Sequence, residues 1–254
     1  LAATPAFAKM QAKSVEWSVG QERFSGYVVY DEAAKAKRPG LVMVPNWMGV
    51  TDDAVARAKA IAGDDYVVLV ADVWGKGKQP KDSAEAGKFA GALRGEDRGP
   101  LRARIEAALA TLKAQAGKAP LDASKLGAFG FCFGGSTVLE LARSGADVAG
   151  VVSLHGGLAP GAKSQTAASI KAPVLVLNGA DDKATPDADI LAFEKEMDAA
   201  RADWQFVDFS GAVHCFAEPS AGNDPASNCR YDARAAKRAY RMMDDFFRER
   251  FAAK

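Results

Sequence analysis

Residues 130–135 read Gly-Phe-Cys-Phe-Gly-Gly, and one cysteine set among three glycines is typical of a chemical role. A reactive residue on a sharp strand-to-helix turn, called a nucleophile elbow, needs small residues two positions before and after it, because the backbone folds tightly against itself. Gly130 and Gly134 occupy those positions, and Cys132 stands where the usual Gly-x-Ser-x-Gly pattern has serine. We therefore predict that Cys132 is the nucleophile of an acyl transfer. The alternative is a tight turn around a buried, inert thiol.

A thiol nucleophile needs a general base, and the chain offers two histidines. His214 lies in Gly-Ala-Val-His-Cys-Phe, just after the last predicted strand and after an acidic strand end. Because elbows of this kind occur with the chain order nucleophile, acid, base, we assign His214 as the base. His155 follows the strand after the elbow. It is either a packing histidine or a residue that lines the substrate pocket, since it too lies at the carboxyl end of a strand.

The acid that orients the base is expected in Gly-Ala-Asp-Asp-Lys-Ala-Thr-Pro, which follows another apolar run. The residues alone leave Asp181 and Asp182 both open. An oxyanion hole needs two backbone amides. One follows the nucleophile and is that of Phe133. The other is expected in the loop Pro-Asn-Trp-Met-Gly-Val after the third strand, and we assign it to Trp47.

Short apolar runs and longer amphipathic runs position these residues. Strand and helix alternate from residue 41 onward, which predicts a mostly parallel sheet with helices on both faces. In such sheets the sites form at the carboxyl ends of the strands. The predicted strands are residues 15–19, 24–30, 41–44, 67–70, 125–129, 148–154, 173–177 and 204–209, and the predicted helices are 52–62, 81–95, 100–116, 134–143, 187–201 and 232–251.

The composition is that of an ordinary globular protein, with 254 residues, 48% of them hydrophobic and 26% charged. The formal net charge of +1 gives no reason to expect a nucleic-acid or anionic membrane partner. The three cysteines and two histidines do not have the spacing of a zinc site, so we expect no metal. We predict one domain over residues 9–254 that acts on a small molecule.

The first eight residues are interpreted separately. Ala6-Phe7-Ala8 has the small-x-small form of a signal-peptidase site, so residues 1–8 are either the end of a secretion signal or a disordered, alanine-rich leader. The first interpretation predicts a periplasmic or secreted protein and the second a cytoplasmic one. An oxidising compartment would permit Cys215 and Cys229 to form a disulfide, whereas both would be thiols in the cytoplasm.

The motifs at residues 130–135, 181–186 and 213–219, with the final helix, resemble those of the dienelactone hydrolase family of α/β hydrolases, and the resemblance covers residues 15–252. It implies the α/β-hydrolase fold with an eight-stranded, mostly parallel, twisted sheet. It also implies a triad on Cys132, His214 and Asp182, the last because related sequences commonly have Gly-x-x-Asp with proline four positions later. The implied reaction is hydrolysis of a lactone or small activated ester through an acyl-cysteine, without a cofactor. The alternatives are a general carboxylesterase and a non-catalytic or redox-sensing relative with a reactive thiol.

Three positions depart from the best-studied branch of that family. A glutamate that pairs with the resting thiol is replaced by Asn46, which is expected to contact the substrate or to hold its own loop. Two arginines that bind a substrate carboxylate are replaced by Lys76 and Glu218. We predict that Lys76 contacts the substrate, with a solvated loop charge as the alternative, and that the reversed charge at Glu218 disfavours a small anionic dienelactone.

Overall fold

A computed structural model describes residues 9–161 and 170–252. Its central element is one sheet of eight strands in the order β1-β2-β4-β3-β5-β6-β7-β8. β1 pairs antiparallel with β2, β2 pairs antiparallel with β4, and the remaining five strand pairs are parallel. The strands are β1 Met10–Val19, β2 Glu22–Asp31, β3 Arg38–Val44, β4 Val67–Val70, β5 Leu121–Phe131, β6 Val151–Leu154, β7 Val174–Gly179 and β8 Trp204–Phe209.

Six α-helices cover the two faces of this sheet. They are α1 Asp52–Ala62, α2 Ser83–Leu93, α3 Gly99–Lys113, α4 Phe133–Arg143, α5 Asp187–Ala200 and α6 Ala233–Ala252. Side chains of α1 and α6 form one hydrophobic core against the sheet, and side chains of α2, α3, α4 and α5 form the other. The predicted α/β-hydrolase fold, with a mostly parallel eight-stranded sheet between helices, is confirmed.

Burial on both faces explains why the central strands are continuous apolar runs rather than alternating ones. Every residue of β4, β6 and β7 is buried. β5 lies in the middle of the sheet between β3 and β6. The carboxyl ends of the six mutually parallel strands, β3 to β8, therefore meet at one edge, and each predicted site residue lies in a segment that follows one of these ends.

Several boundaries differ from the predicted ones. β5 is longer at both ends than the predicted 125–129, because its first residues pair with Arg38 and Pro39 of β3 before an irregularity in the ladder. β6 begins at Val151 rather than at residue 148.

The interpretation of residues 1–8 falls outside the described residues. Within the described ranges, no helix is long and apolar enough to cross a membrane.

Candidate active site

Cys132 lies on the turn between β5 and α4 with φ 52° and ψ −114°, a backbone conformation that residues with a side chain rarely adopt. Two glycines make this turn sterically allowed. A Cβ atom on Gly130 would overlap the backbone of Gly134, and a Cβ atom on Gly134 would overlap the carbonyl of Val44. The turn thus needs glycine for close backbone approach, as the sequence predicts, and it holds the partly exposed Cys132 side chain at the sheet edge.

The structure brings the three residues of the predicted triad together. The Nε2 atom of His214 is 3.0 Å from Sγ of Cys132, and its Nδ1 atom is 2.7 Å from Oδ2 of Asp182. The Asp182 side chain is fully buried, while 16% of the His214 side chain is exposed. These contacts can transfer a proton between sulfur and imidazole while the carboxylate fixes the orientation of the ring.

Asp182, not Asp181, contacts the imidazole. Its Oδ1 atom accepts hydrogen bonds from the backbone N–H of Ala184 at 2.8 Å and from Nδ2 of Asn228 at 3.1 Å, which leaves Oδ2 for His214. The Asp181 side chain is exposed. Asn228 was not predicted, because it lies 46 residues from Asp182 in an irregular segment.

The charges at this site favour an imidazolium on His214. Burial lowers the pKa of His214, but the hydrogen bonds to Asp182 and Cys132 and the negative charges of both groups outweigh burial and raise that pKa to about 10. For Asp182, burial raises the pKa, but the hydrogen bond and charge of His214 outweigh it, so the net shift is downward. The result is a cation beside the sulfur and an anion behind the ring, an arrangement that stabilises a thiolate.

The two predicted oxyanion donors flank the elbow. Phe133 begins α4, and Trp47 lies in the loop after β3, whose Val44 carbonyl packs against Gly134. Within the described part of the chain, neither the Phe133 N–H nor the Trp47 N–H has a hydrogen-bond acceptor. Both amides therefore remain available to a substrate oxygen.

The thiol opens into a cleft of about 730 Å³. Asn46 and Trp47 form one part of its wall, and Cys215 and Cys229 form another. Arg94 also lines the cleft, although the sequence had not indicated it. Its guanidinium lies 5.1 Å from the centre of the ring of Phe133, the residue after Cys132.

The structure places two of the predicted substrate-contacting residues, Lys76 and His155, outside the wall of the cleft. Lys76 does not line the cleft, because its ammonium group forms an ion pair with Glu16 at 2.5 Å on the surface. The alternative of a surface loop charge describes it better. His155 is fully buried and does not line the cleft either. Its Nδ1 atom instead accepts a hydrogen bond at 3.1 Å from the backbone N–H of Cys132.

Asn46 is held by a buried ion pair. Its Oδ1 atom accepts from the N–H of Met48 at 2.9 Å, and its Nδ2 donates to Oε2 of Glu218 at 2.7 Å. The same carboxylate oxygen accepts from Arg57 of α1 at 2.5 Å. Asn46 lines the cleft and also holds its own loop, so both predicted roles remain open.

A disulfide joins Cys215, the residue after His214, to Cys229. The segment it attaches also carries Asn228, which binds Asp182, and its Arg230 N–H donates to the His214 carbonyl at 3.1 Å. The disulfide therefore joins the residue after His214 to the residue after Asn228, which hydrogen-bonds Asp182. Closing a loop of this size stabilises a fold by roughly 3 kcal/mol in the chain-entropy model.

Within the described residues no group of three or more His, Cys, Asp or Glu could hold a metal ion.

A titration of the two histidine rings tests these electrostatics. We expect the His214 ring to titrate near pH 10 and Cys132→Ala to lower its pKa, since the variant removes a hydrogen bond and a negative charge. The pKa of His155 is well below 6.5, because burial and the charges of His214 and Arg57 disfavour its imidazolium. NMR of the ring protons against pH measures both. Titration of His214 near 6.5 in the wild type would contradict the assignment.

The raised pKa of His214 also predicts how the stability of the fold depends on pH. Folding raises the pKa of His214 above its ordinary value of 6.5, so this group stabilises the fold fully below pH 6.5. That contribution is lost as pH rises from 6.5 to about 10. Urea unfolding of the wild type and of His214→Gln should therefore converge in free energy over this range.

This sheet, with helices on both faces and a cysteine on a strained strand-to-helix turn after β5, has the α/β-hydrolase fold. A model of the dienelactone hydrolase family matches residues 24–251, and the chain belongs to that family. Membership of this family identifies the protein as a hydrolase that acts on carboxylic esters or lactones.

Individual proteins are similar to this chain over much of its length. A carboxymethylenebutenolidase homolog of Homo sapiens is 29% identical over 161 residues, which are 63% of this chain and 62% of that protein. An uncharacterised protein of Caenorhabditis elegans is 36% identical over 156 residues, 61% of this chain and 96% of its own. A crystal structure of a dienelactone hydrolase-like promiscuous phosphotriesterase from metagenomic libraries is 38% identical, with a TM-score of 0.88 over 95% of this chain and 99% of that one.

Proposed function

We propose that this hydrolase cleaves a lactone or a small activated ester through an acyl-cysteine intermediate on Cys132. The observation that carries the proposal is the continuous contact from the Cys132 sulfur through His214 to Asp182, at 3.0 and 2.7 Å. A thiolate beside an imidazolium is ready to attack a carbonyl without a separate deprotonation step. The family match supports the same substrate class.

In the first half-reaction the Cys132 thiolate forms a bond to the carbonyl carbon, and the carbonyl electrons move to oxygen. The amides of Phe133 and Trp47 donate to this oxyanion. The ester C–O bond then breaks, and the imidazolium of His214 gives its proton to the leaving alkoxide. The products are an acyl-cysteine and an alcohol, or a tethered alcohol when the substrate is a lactone.

In the second half-reaction the now neutral His214 removes a proton from water. The resulting hydroxide attacks the thioester carbonyl, and the C–S bond breaks to return the thiolate. Asp182 stabilises the imidazolium that forms again. Because a thiolate leaves more easily than a poor alkoxide, strained lactones and aryl esters suit this chemistry best.

Trapping the acyl-enzyme tests the proposal. We expect p-nitrophenyl pivalate to acylate Cys132 faster than water removes the crowded acyl group, so the protein gains the mass of one pivaloyl group. Peptide mass spectrometry after acid quenching locates the group, and the peptides carrying the Cys215–Cys229 disulfide are the internal control. Ester hydrolysis with a pivaloyl group on a serine, or alkylation of Cys132 by iodoacetamide with no hydrolysis of any lactone or aryl ester, would contradict it. The second result would favour a reactive thiol without catalysis.

Phosphotriester hydrolysis is a second candidate activity. The observation that favours it is the 38% identity to a promiscuous phosphotriesterase over nearly the whole chain. Attack by the Cys132 thiolate on phosphorus would place the phosphoryl oxygen at the same two amides and break the P–O bond to the leaving aryloxide, which takes a proton from His214. Water activated by His214 would then break the S–P bond and return the thiolate. Including paraoxon in the ester and lactone panel separates the two activities by their kcat/KM values.

A further inference from the structure

Glu218 is a buried carboxylate that the proposed reaction does not use. It lies in the loop between β8 and α6, and only 1% of the residue is exposed. Burial removes this charge from water, and the lost hydration free energy must be offset by strong ion-pair or hydrogen-bond partners. Its Oε2 atom has two, Arg57 at 2.5 Å and Asn46 at 2.7 Å.

The other oxygen, Oε1, faces His155. Its distance to Nε2 of His155 is 3.8 Å, and neither atom has a hydrogen-bond partner among the residues that the structure describes. Two buried polar atoms that face each other without other partners are costly unless they pair. A bridging water would require a separation of about 4.5 Å or more, since each hydrogen bond measures about 2.8 Å. A direct N–H···O hydrogen bond, reached by a shift of about 1 Å, is the arrangement that satisfies both.

The far side of the His155 ring fixes where its proton lies. Nδ1 lies 3.1 Å from the N–H of Cys132, which also donates to the carbonyl of Leu154 at 3.0 Å. Nδ1 must therefore accept, so the single proton of the neutral ring lies on Nε2, directed at Glu218. The low pKa of His155 keeps the ring neutral. His155 itself has φ 41°, so a strained backbone directly after β6 holds the ring next to the strained turn at Cys132.

The two oxygens of Glu218 thus reach the two sides of the oxyanion hole. Oε2 reaches Asn46, the residue before Trp47, and Oε1 reaches His155, which holds the amide of Cys132 next to Phe133. We propose that Glu218 is a positioning residue that sets the distance between the Trp47 and Phe133 amides by holding Asn46 on one side and His155 on the other. Arg57 neutralises the carboxylate, so that its charge does not oppose the thiolate or the oxyanion.

This inference deepens the proposed function and rests on it for its kinetic test. We expect Glu218→Gln to lower kcat for p-nitrophenyl acetate by about 10- to 100-fold with KM changed less than about 3-fold, since a misplaced oxyanion donor acts in the transition state. The matched control is Glu140→Gln. Glu140 is an equally buried carboxylate with two arginine partners, Arg102 and Arg143, and it makes no contact with the site. Equal kcat values for the two variants would overturn the inference.

A second measurement needs neither a variant nor activity. ¹⁵N NMR of the wild type is expected to show His155 protonated on Nε2 alone, and hydrogen exchange is expected to show a protected Cys132 amide. In Glu218→Gln the amide group can place a donor against Nε2, so we expect a changed tautomer and faster exchange at Cys132. A proton on Nδ1 of His155 in the wild type would refute the inference. A wild type without Cys132-dependent hydrolysis would refute the proposed function, while the NMR result would still decide the role of Glu218.

Discussion

Replacement of Cys132 by alanine is expected to lower kcat for p-nitrophenyl acetate by at least about 10³-fold, because the variant removes the sulfur that forms the proposed acyl intermediate. The remaining amides of Phe133 and Trp47 can stabilise an oxyanion formed by water, so a small residual rate above the uncatalysed reaction is expected. A stopped assay of nitrophenol release with excess substrate measures kcat directly.

The matched control for this variant is Cys132→Ser, which exchanges one atom and preserves the turn. Serine holds its proton far more tightly than cysteine, so we expect it to lose most of the activity as well. Equal thermal unfolding of both variants and the wild type would show that the fold is intact. A Cys132→Ala protein that keeps full activity would exclude the acyl-cysteine mechanism.

The second large effect is expected for Asp182→Asn, with kcat lowered by about 10³- to 10⁴-fold. An asparagine would present its amide group or its neutral oxygen to Nδ1 of His214, and it would no longer stabilise the imidazolium. The ring would lose both its charge partner at 2.7 Å and its fixed tautomer. Measurement of kcat across pH 6–10 would also show the descending limb shift to lower pH.

Asp181→Asn is the control, because the Asp181 side chain is exposed and its backbone N–H, which the substitution keeps, donates to the Ala212 carbonyl. We expect that variant to change kcat less than 2-fold, as is usual for a surface substitution of similar shape. The opposite result, with Asp181→Asn inactive and Asp182→Asn active, would reassign the acid.

The sequence was sufficient to predict the fold and the meeting of three distant residues. Continuous apolar runs such as residues 67–70 and 173–177 identify doubly covered strands, and parallel strands bring their ends to one edge. Since Cys132, Asp182 and His214 each follow a strand of this parallel set, the topology brings them to the same edge of the sheet. The three glycines around Cys132 also predicted the sharp turn that holds its side chain partly exposed.

Side-chain direction at that edge could not be predicted. His155 follows its strand as His214 does, but its positive φ turns the ring beneath the elbow instead of into the cleft. Lys76 pairs with Glu16, 60 positions away on β1. Glu218 pairs with Arg57 and Asn46, which lie 161 and 172 positions away. Such pairings depend on how loops pack after the sheet has formed, and no local pattern encodes them. The export of the protein stays a prediction, because it depends on residues 1–8.

The pairing of Cys215 with Cys229 has a consequence for how this chain can be produced. Three cysteines can join in three ways, and this pairing alone leaves Cys132 free. If the reduced, denatured chain is oxidised, every molecule that joins Cys132 to either of the others loses its nucleophile and leaves an unpaired sulfur that can crosslink copies. The yield of active protein on oxidative renaturation should therefore rise when a thiol–disulfide buffer allows wrongly joined molecules to exchange partners.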